Sequence, residues 1–360
     1  MTWSTLLLVA ALWAQPAPDS AEPSTVGAFA ESIDVRLVTV RLGAFDRRNQ
    51  PILGLGPEDF RVTVGGEAVE VVAVDWIGSF RESTEPLDGA SAGHDGVELP
   101  RLDVETGTGF ADDAPPPGRS VIFFVQNDFD PSRLVGFVRL KPSYRNLVDQ
   151  LDGDLGAVVV FNTHLELRQD LTRDAEQLEA VLLEAHHRHT IEFPEPGPSP
   201  SLARVLDEQA ARDVASVEQA LELLAHALDR LPGEKAIVML GHGFGEMFRG
   251  RLLMSPYYER ARDRLLAAKV PVFGLDVTYA GSHSQASGFA KLARETGGTY
   301  LSTTTFPEKA VRTMGDVLAG RYVLTLAGVD VEAGRHALDV RLVSRHGRLV
   351  VQPAVIRPTR

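Results

Sequence analysis

The stretch SVIFFVQNDFDPS (residues 120–132) decides how the rest of the chain is read. Its first half is an unbroken apolar run, Val121, Ile122, Phe123, Phe124 and Val125. Its second half is a polar, acidic tip of Gln126, Asn127, Asp128, Asp130 and Ser132. A short apolar run without alternation predicts a strand buried on both faces, the central kind found in parallel sheets. Proteins of the α/β class place their ligands beyond the carboxyl ends of such strands, where the order of the sheet reverses. A site in this domain is therefore expected to begin at residues 126–132.

Downstream of this stretch, strands and helices alternate. Residues 131–151 read as a helix interrupted at Pro142, because proline removes a backbone donor. Residues 157–161 (AVVVF) read as a second buried strand, and residues 164–171 as an edge strand. Residues 174–187 form an amphipathic helix with Leu178, Val181, Leu182 and Ala185 on one face. After a proline-rich insertion (Pro194, Pro196, Pro198, Pro200), residues 202–231 read as one long helix. Residues 236–240 (AIVML) are strand-like and end in Gly241-His242-Gly243. Helices over 257–269, 287–296 and 307–320 then alternate with strands over 270–276 and 299–302. This alternation over residues 119–320 predicts an α/β domain, a mostly parallel sheet with helices on both faces.

Both ends of the chain are β in character. A strand is expected over residues 33–42, where the spacing of Ile33, Val35, Leu37, Val38, Val40 and Leu42 changes phase midway. Two β-branched runs split by Gly65-Gly66 predict a hairpin, completing an N-terminal β module over 31–78. Residues 79–118, rich in Gly, Pro, Ser, Asp and Glu, read as a linker or long loop. The tail, 321–360, carries strand runs at 322–326, 336–343 and 349–356, with a turn at 345–348 joining the last two. β segments flanking an α/β middle imply that the two ends share one sandwich-like module with the α/β domain inserted in it.

With 360 residues and 44% hydrophobic content the chain can bury a substantial core. Its 49 acidic against 36 basic residues give a formal charge of −13, which disfavours nucleic-acid and anionic-membrane partners. Residues 6–14 (LLLVAALWA) are too short to span a bilayer and predict a signal peptide over 1–14, followed by a flexible spacer over 15–30. No later stretch is long enough to be a transmembrane helix. The absence of cysteine removes disulfides and thiolate metal sites, and suits a secreted or periplasmic protein of the bacterial envelope.

Several blocks, taken in order, carry a family resemblance. They are VRLVTVRLGAFDRRNQPILGLGPEDFRVTVGGEAVEV (35–71), RSVIFFVQNDFDPS (119–132), LGAVVVFNTHLELRQDLTRD (155–174), KAIVMLGHGFGE (235–246) and RYVLTLAG (321–328). Together they resemble the von Willebrand factor A (VWA) domain and the bacterial exported "VWFA-related" family. The resemblance implies a Rossmann-like VWA sheet and a role in binding another protein through the strand-tip face, here Gln126, Asn127, Asp128, Asp130, Ser132, Thr172 and His242. VWA domains often hold Mg²⁺ or another divalent ion at an Asp-x-Ser-x-Ser motif, with a Thr from a second loop and an Asp after the fourth strand. Hard cations favour such all-oxygen sets.

This chain departs from that pattern. Asp128-x-Asp130-x-Ser132 nearly restores the motif in a register shifted by two, and Thr172 fits the threonine loop. The fourth-strand acid, however, is replaced at Gly241-His242-Gly243. Neutral imidazole is a poor Mg²⁺ ligand. The tentative metal set is Asp128, Asp130, Ser132 and Thr172, taking Mg²⁺ or Mn²⁺. The preferred reading is a degenerate site without a cofactor, in which these groups cap helices and satisfy loop amides.

Other candidates give way to simpler readings. His186, His187 and His189 sit at a helix end with no third ligand for zinc, and a helix C-terminus simply favours cationic side chains. Gly241 to Gly245 lacks the residues of a phosphate loop, and no Gly-x-Ser-x-Gly motif is present. His283, among Ser282, Ser284 and Ser287, reads as part of an exposed polar loop. The function expected is protein–protein interaction, adhesion or scaffolding, without catalysis. A zinc hydrolase using strand-tip His and Asp residues and a ligand-free envelope scaffold are the alternatives.

Overall fold

The computed structural model describes residues 38–47, 51–78, 119–127, 131–151, 153–187, 193–279, 283–318, 320–327 and 337–351. The expected signal peptide, spacer and 79–118 linker lie outside the described residues, as do Asp128, Asp130, His189, residues 33–37 and residues 352–356. Ser132 is placed within a helix, but its side chain is also outside them.

The chain begins with three strands, β1 (Val38–Phe45), β2 (Phe60–Val64) and β3 (Glu67–Gly78). The α/β part follows with β4 (Ser120–Gln126), α1 (Pro131–Leu140), α2 (Tyr144–Asp149), β5 (Leu155–Phe161), β6 (Leu165–Thr172) and α3 (Ala175–Glu184). Three short helices come next, α4 (Leu202–Val205), α5 (Glu208–Asp213) and α6 (Val217–Asp229). The order continues through β7 (Lys235–Gly241), β8 (Glu246–Phe248), β9 (Arg251–Leu253), α7 (Tyr258–Ala267), β10 (Val272–Asp276), α8 (Ala286–Thr296), β11 (Tyr300–Ser302) and α9 (Pro307–Leu318). It ends with β12 (Gly320–Ala327), β13 (Leu338–Leu342) and β14 (Arg348–Val351).

The apolar run of residues 121–125 is the middle of a six-stranded sheet ordered β11-β10-β7-β4-β5-β6. All neighbours are parallel except β5 and β6. Ile122 and Phe124 face one layer, built largely from α6, α7 and α8 (Leu221, Leu224, Leu265, Phe289). Val121, Phe123 and Val125 face the other, built from α1, α2, α3 and α9 (Phe137, Leu147, Leu182, Met314). Each of these strand side chains is fully buried, which is worth about 1.5–3 kcal/mol apiece. The helix expected over 131–151 is interrupted at Pro142 as anticipated, by a 3₁₀ turn over Lys141–Ser143.

The long helix expected over 202–231 is instead three helices. Ser201, Asp207 and Ser216 each turn a side-chain oxygen onto a backbone N–H of the following turn, on Arg204, Ala210 and Gln219 respectively. Capping side chains compete with the helical ladder, and here they restart it twice.

The N- and C-terminal strands share one antiparallel sheet, ordered β13-β2-β3-β12-β1-β14. Gly65 and Gly66 take positive φ in the β2–β3 turn, as their pairing predicted. The last two strands were expected to form a hairpin, yet β13 and β14 lie at opposite edges of this sheet. A flat six-stranded sheet would be about 24 Å wide. The 343–347 connection reaches only about 21 Å when fully extended. The sheet therefore curls until its edges meet, a near-barrel rather than two stacked layers. Its core gathers Val40, Leu42, Val62, Tyr322, Leu324 and Leu326, with the Tyr322 hydroxyl donating to Ile52 O at 2.8 Å. The described residues all fall within one compact unit.

Candidate functional site

The carboxyl ends of the parallel strands line up as Ser302, Asp276, Gly241, Gln126 and Phe161, in adjacent registers. Gln126 is the centre of this row. Its Oε1 accepts from the backbone N–H of His242 (3.2 Å) and of Gly243 (2.9 Å). Its Nε2 donates to Gly243 O (2.7 Å) and to His242 Nε2 (2.9 Å). Both amide hydrogens and both carbonyl lone pairs are thereby used. The flipped amide would set its oxygen against Gly243 O, so the network permits one orientation. Because His242 Nε2 accepts, the ring proton sits on Nδ1. Position 241 must be glycine for this approach: a Cβ there would lie 2.6 Å from the Gln126 Cβ and Oε1.

Neighbouring elements lock the same loop. A Cβ on Gly288 of α8 would lie 2.0 Å from Phe244 O, and one on Gly136 of α1 would lie 1.5 Å from Val277 O. Gln126, Asn127 and His242 are all buried. These three side chains hold the tip together: Gln126 bonds to the 242–243 backbone, His242 to the Gln126 amide, and Asn127 Nδ2 donates to Ala185 O at 3.5 Å. Asn127 N donates to Phe161 O at 2.7 Å, tying β4 to β5 beyond the ladder.

Thr172 does not join this group. Strand β6 runs back antiparallel to β5, so Thr172 pairs with Gly156 at the strand starts, whereas Leu165 pairs with Phe161 at the tip. The length of the sheet, about 17 Å, separates them. Thr172 accepts from Asp174 N at 3.1 Å, and Asp174 caps α3, which is local turn chemistry. Of the tentative metal set, Thr172 is at the wrong end, while Asp128, Asp130 and the Ser132 side chain lie outside the described residues.

Sequence reasoning missed a second cluster at the tip. Asp276, buried at the end of β10, accepts from Thr278 N (2.9 Å) on one oxygen. On the other it accepts from His283 Nε2 (2.6 Å) and the Tyr300 hydroxyl (2.5 Å). Burial, together with donation to Asp276, pushes the Tyr300 hydroxyl well above its usual pKa, so it remains a donor. His283 is therefore held against the body of the protein by Asp276, which corrects its reading as part of an exposed loop. Nothing in the spacing of 276, 283 and 300 signals this; strands β10 and β11 and the loop before α8 bring them together. Among the described residues no nucleophilic side chain hydrogen-bonds to His283.

The histidines after α3 also differ from expectation. His186 is buried and stacks on Phe137 at 6.0 Å, and burial lowers its pKa to about 4, with Lys141 and His187 adding to the effect. It is a neutral packing residue there, not a cation at a helix end. His187 is exposed and pairs with Glu184 at 2.5 Å. Among the described residues no group of three or more His, Cys, Asp or Glu side chains is placed to hold a metal ion.

The exposed side chains of the tip include several large apolar and aromatic ones. β8 and β9 form a hairpin directly after the Gly241–Gly245 loop, with Met247, Phe248 and Leu253 exposed and Arg249 and Arg251 at its turn. Tyr279 and Phe306 are exposed beside the ends of β10 and β11, and Arg139 lies 4.5 Å over the Tyr279 ring while donating to Thr304 O at 2.6 Å. No helix among the described residues is long and apolar enough to cross a membrane.

No protein-family model and no curated protein matches the chain. Among solved structures it is similar to a von Willebrand factor type A protein from Catenulispora acidiphila, at 13% identity and TM-score 0.38, covering 67% of this chain and 66% of that one. It is similar also to an aerotolerance-related membrane protein from Bacteroides fragilis, at 15% identity and TM-score 0.38, over 56% of this chain and 98% of that one. The PilB minor pilin from Streptococcus sanguinis, as a D319A mutant, matches at 10% identity and TM-score 0.36, over 78% and 86% respectively. The strand order itself, with one antiparallel edge strand and helices on both faces, makes this a VWA-like fold joined to an antiparallel near-barrel of N- and C-terminal strands.

Proposed function

We propose that this chain is an exported protein-recognition module that binds another protein through its strand-tip face, with the Gln126 amide in place of a cation as the link between β4 and β7. The observation that carries this reading is the fully used hydrogen-bonding capacity of Gln126, which leaves no lone pair for an ion and turns N–H groups toward the centre of the tip. Contact then falls to the exposed Met247, Phe248, Leu253, Tyr279 and Phe306, a set of aromatic and apolar side chains with arginines among them. Interface cores are enriched in these residue types. A secreted or periplasmic location follows from the reading of residues 1–14 as a signal peptide and forms part of the same proposal.

Two measurements test it. Calorimetric titration of Mg²⁺ or Mn²⁺ into the protein is expected to give no saturable heat; a saturable site with micromolar affinity defeats the cation-free reading. Cross-linking capture of a partner from an envelope extract is expected to proceed equally in EDTA and in Mg²⁺, and to be lost in a Met247→Ser/Phe248→Ser variant. Capture that survives the double substitution unchanged removes the hairpin from the contact surface.

A further inference from the structure

At the opposite end of the α/β sheet the strand starts meet the near-barrel, and a shallow pocket open to solvent lies at the junction. Its wall includes three arginines, Arg41 of β1, Arg119 just before β4 and Arg321 of β12, together with the apolar side chains of Phe45, Val317 and Val350. Two carboxylates serve these three cations. Asp154 is taken by Arg119, through Nε at 2.9 Å and Nη2 at 2.5 Å. Glu234 Oε1 is taken by Arg41, through Nε at 3.3 Å and Nη2 at 3.2 Å. Arg321 is left with Glu234 Oε2 at 3.6 Å, an ion pair too long to be a hydrogen bond.

The Arg321 side chain is only 12% exposed, and among the described residues its guanidinium makes no hydrogen bond. Nearby Lys235 does not relieve the imbalance; its ammonium donates to Leu231 O at 2.9 Å. A largely buried cation without a hydrogen-bonded counter-ion is costly unless water or an anion completes it. Burial pulls the Arg321 pKa down to about 10, Glu234 opposes this, and Arg119 and Arg41 add to it.

We propose that this pocket binds a small organic monocarboxylate, its carboxylate paired with the free fork of Arg321 and its short apolar body against Phe45, Val317 and Val350. The three arginines of the wall outnumber their two carboxylates by one, a difference that one bound carboxylate offsets. The planar guanidinium matches carboxylate geometry in a bidentate pair. The apolar wall favours an organic body over a second hydrated charge, and this distinguishes the site from one built for free phosphate. The site lies at the far end of the sheet from the recognition face and stands independently of that function.

The test is thermal unfolding and calorimetry of the full chain with butyrate as the probe, against phosphate, butanol and chloride at matched ionic strength. Butyrate is expected to raise the Tm saturably in the millimolar range, with butanol and chloride inert. Arg321→Gln is expected to weaken the response at least tenfold. If that variant does not fold, Arg321→Lys keeps the charge but loses the fork, and should also bind more weakly. No saturable response of the wild type to butyrate, an equal response to butanol, tighter binding of phosphate than butyrate, or an undiminished response in Arg321→Lys each overturns the proposal.

Discussion

Gln126 and His186 show how burial turns polar side chains of the tip into structural ones. Asp, Gln and His near a strand end read in sequence as ligands, yet Gln126 spends its whole amide on the backbone of residues 242 and 243 and on the His242 ring. His186 spends its ring on Phe137. The His186 case carries a pH prediction. Its folded pKa of about 4 lies below the ordinary value of 6.5, so the unfolded chain binds the proton first as pH falls. Stability is at its full value above pH 6.5 and is lost downward through the window from 6.5 to 4, at up to about 1.4 kcal/mol per pH unit. Urea unfolding of His186→Leu across that window should show a shallower loss than the wild type; parallel curves would remove His186 as the cause.

At the scale of elements, close approaches decide where helices sit. Gly136 lies inside α1, where alanine would ordinarily stabilise by about 1 kcal/mol through helix propensity. Its Cβ would fall 1.5 Å from Val277 O, a backbone atom that cannot step aside. Gly136→Ala is therefore expected to destabilise by about 3 kcal/mol, the upper end of the usual cost of over-packing. Gly197→Ala, whose Cβ would meet only Asp170 Oδ2 at 3.5 Å, is the control expected to be near neutral. Chemical denaturation of the pair checks the contrast. The β8–β9 hairpin escaped sequence reading because its turn places Arg249 at φ 49 beside Gly250 at φ 76. Arginine is not a residue that announces positive φ.

At the scale of the whole molecule, the α/β sheet and the near-barrel are joined by Glu234, which lies just before β7 and reaches both Arg41 and Arg321 of the near-barrel strands. Removing it strands two guanidinium groups at the junction, whereas removing Arg41 leaves Glu234 still paired with Arg321. Glu234→Gln is expected to cost about 1–2 kcal/mol, between the values for exposed and buried ion pairs, and Arg41→Gln distinctly less. Calorimetric melts of the two variants give the comparison, and equal losses would mean that Glu234 does not serve both arginines.

The sequence by itself determined the α/β layer, because an apolar run such as residues 121–125 can be buried only as a central strand with helices on both sides. It also determined the proline break at 142 and the Gly65-Gly66 turn, since each depends on the backbone limits of one or two residues. Tertiary structure decided what those local rules do not contain. The antiparallel return of β6 sent Thr172 to the far end of the sheet. Curling of the second sheet carried β13 and β14 to opposite edges. Asp276, His283 and Tyr300, and likewise Arg41, Glu234 and Arg321, met only when distant segments packed. Local conformation follows from neighbours along the chain. Which charges and amides find one another follows from strand order and direction, and these are settled only when the whole core closes.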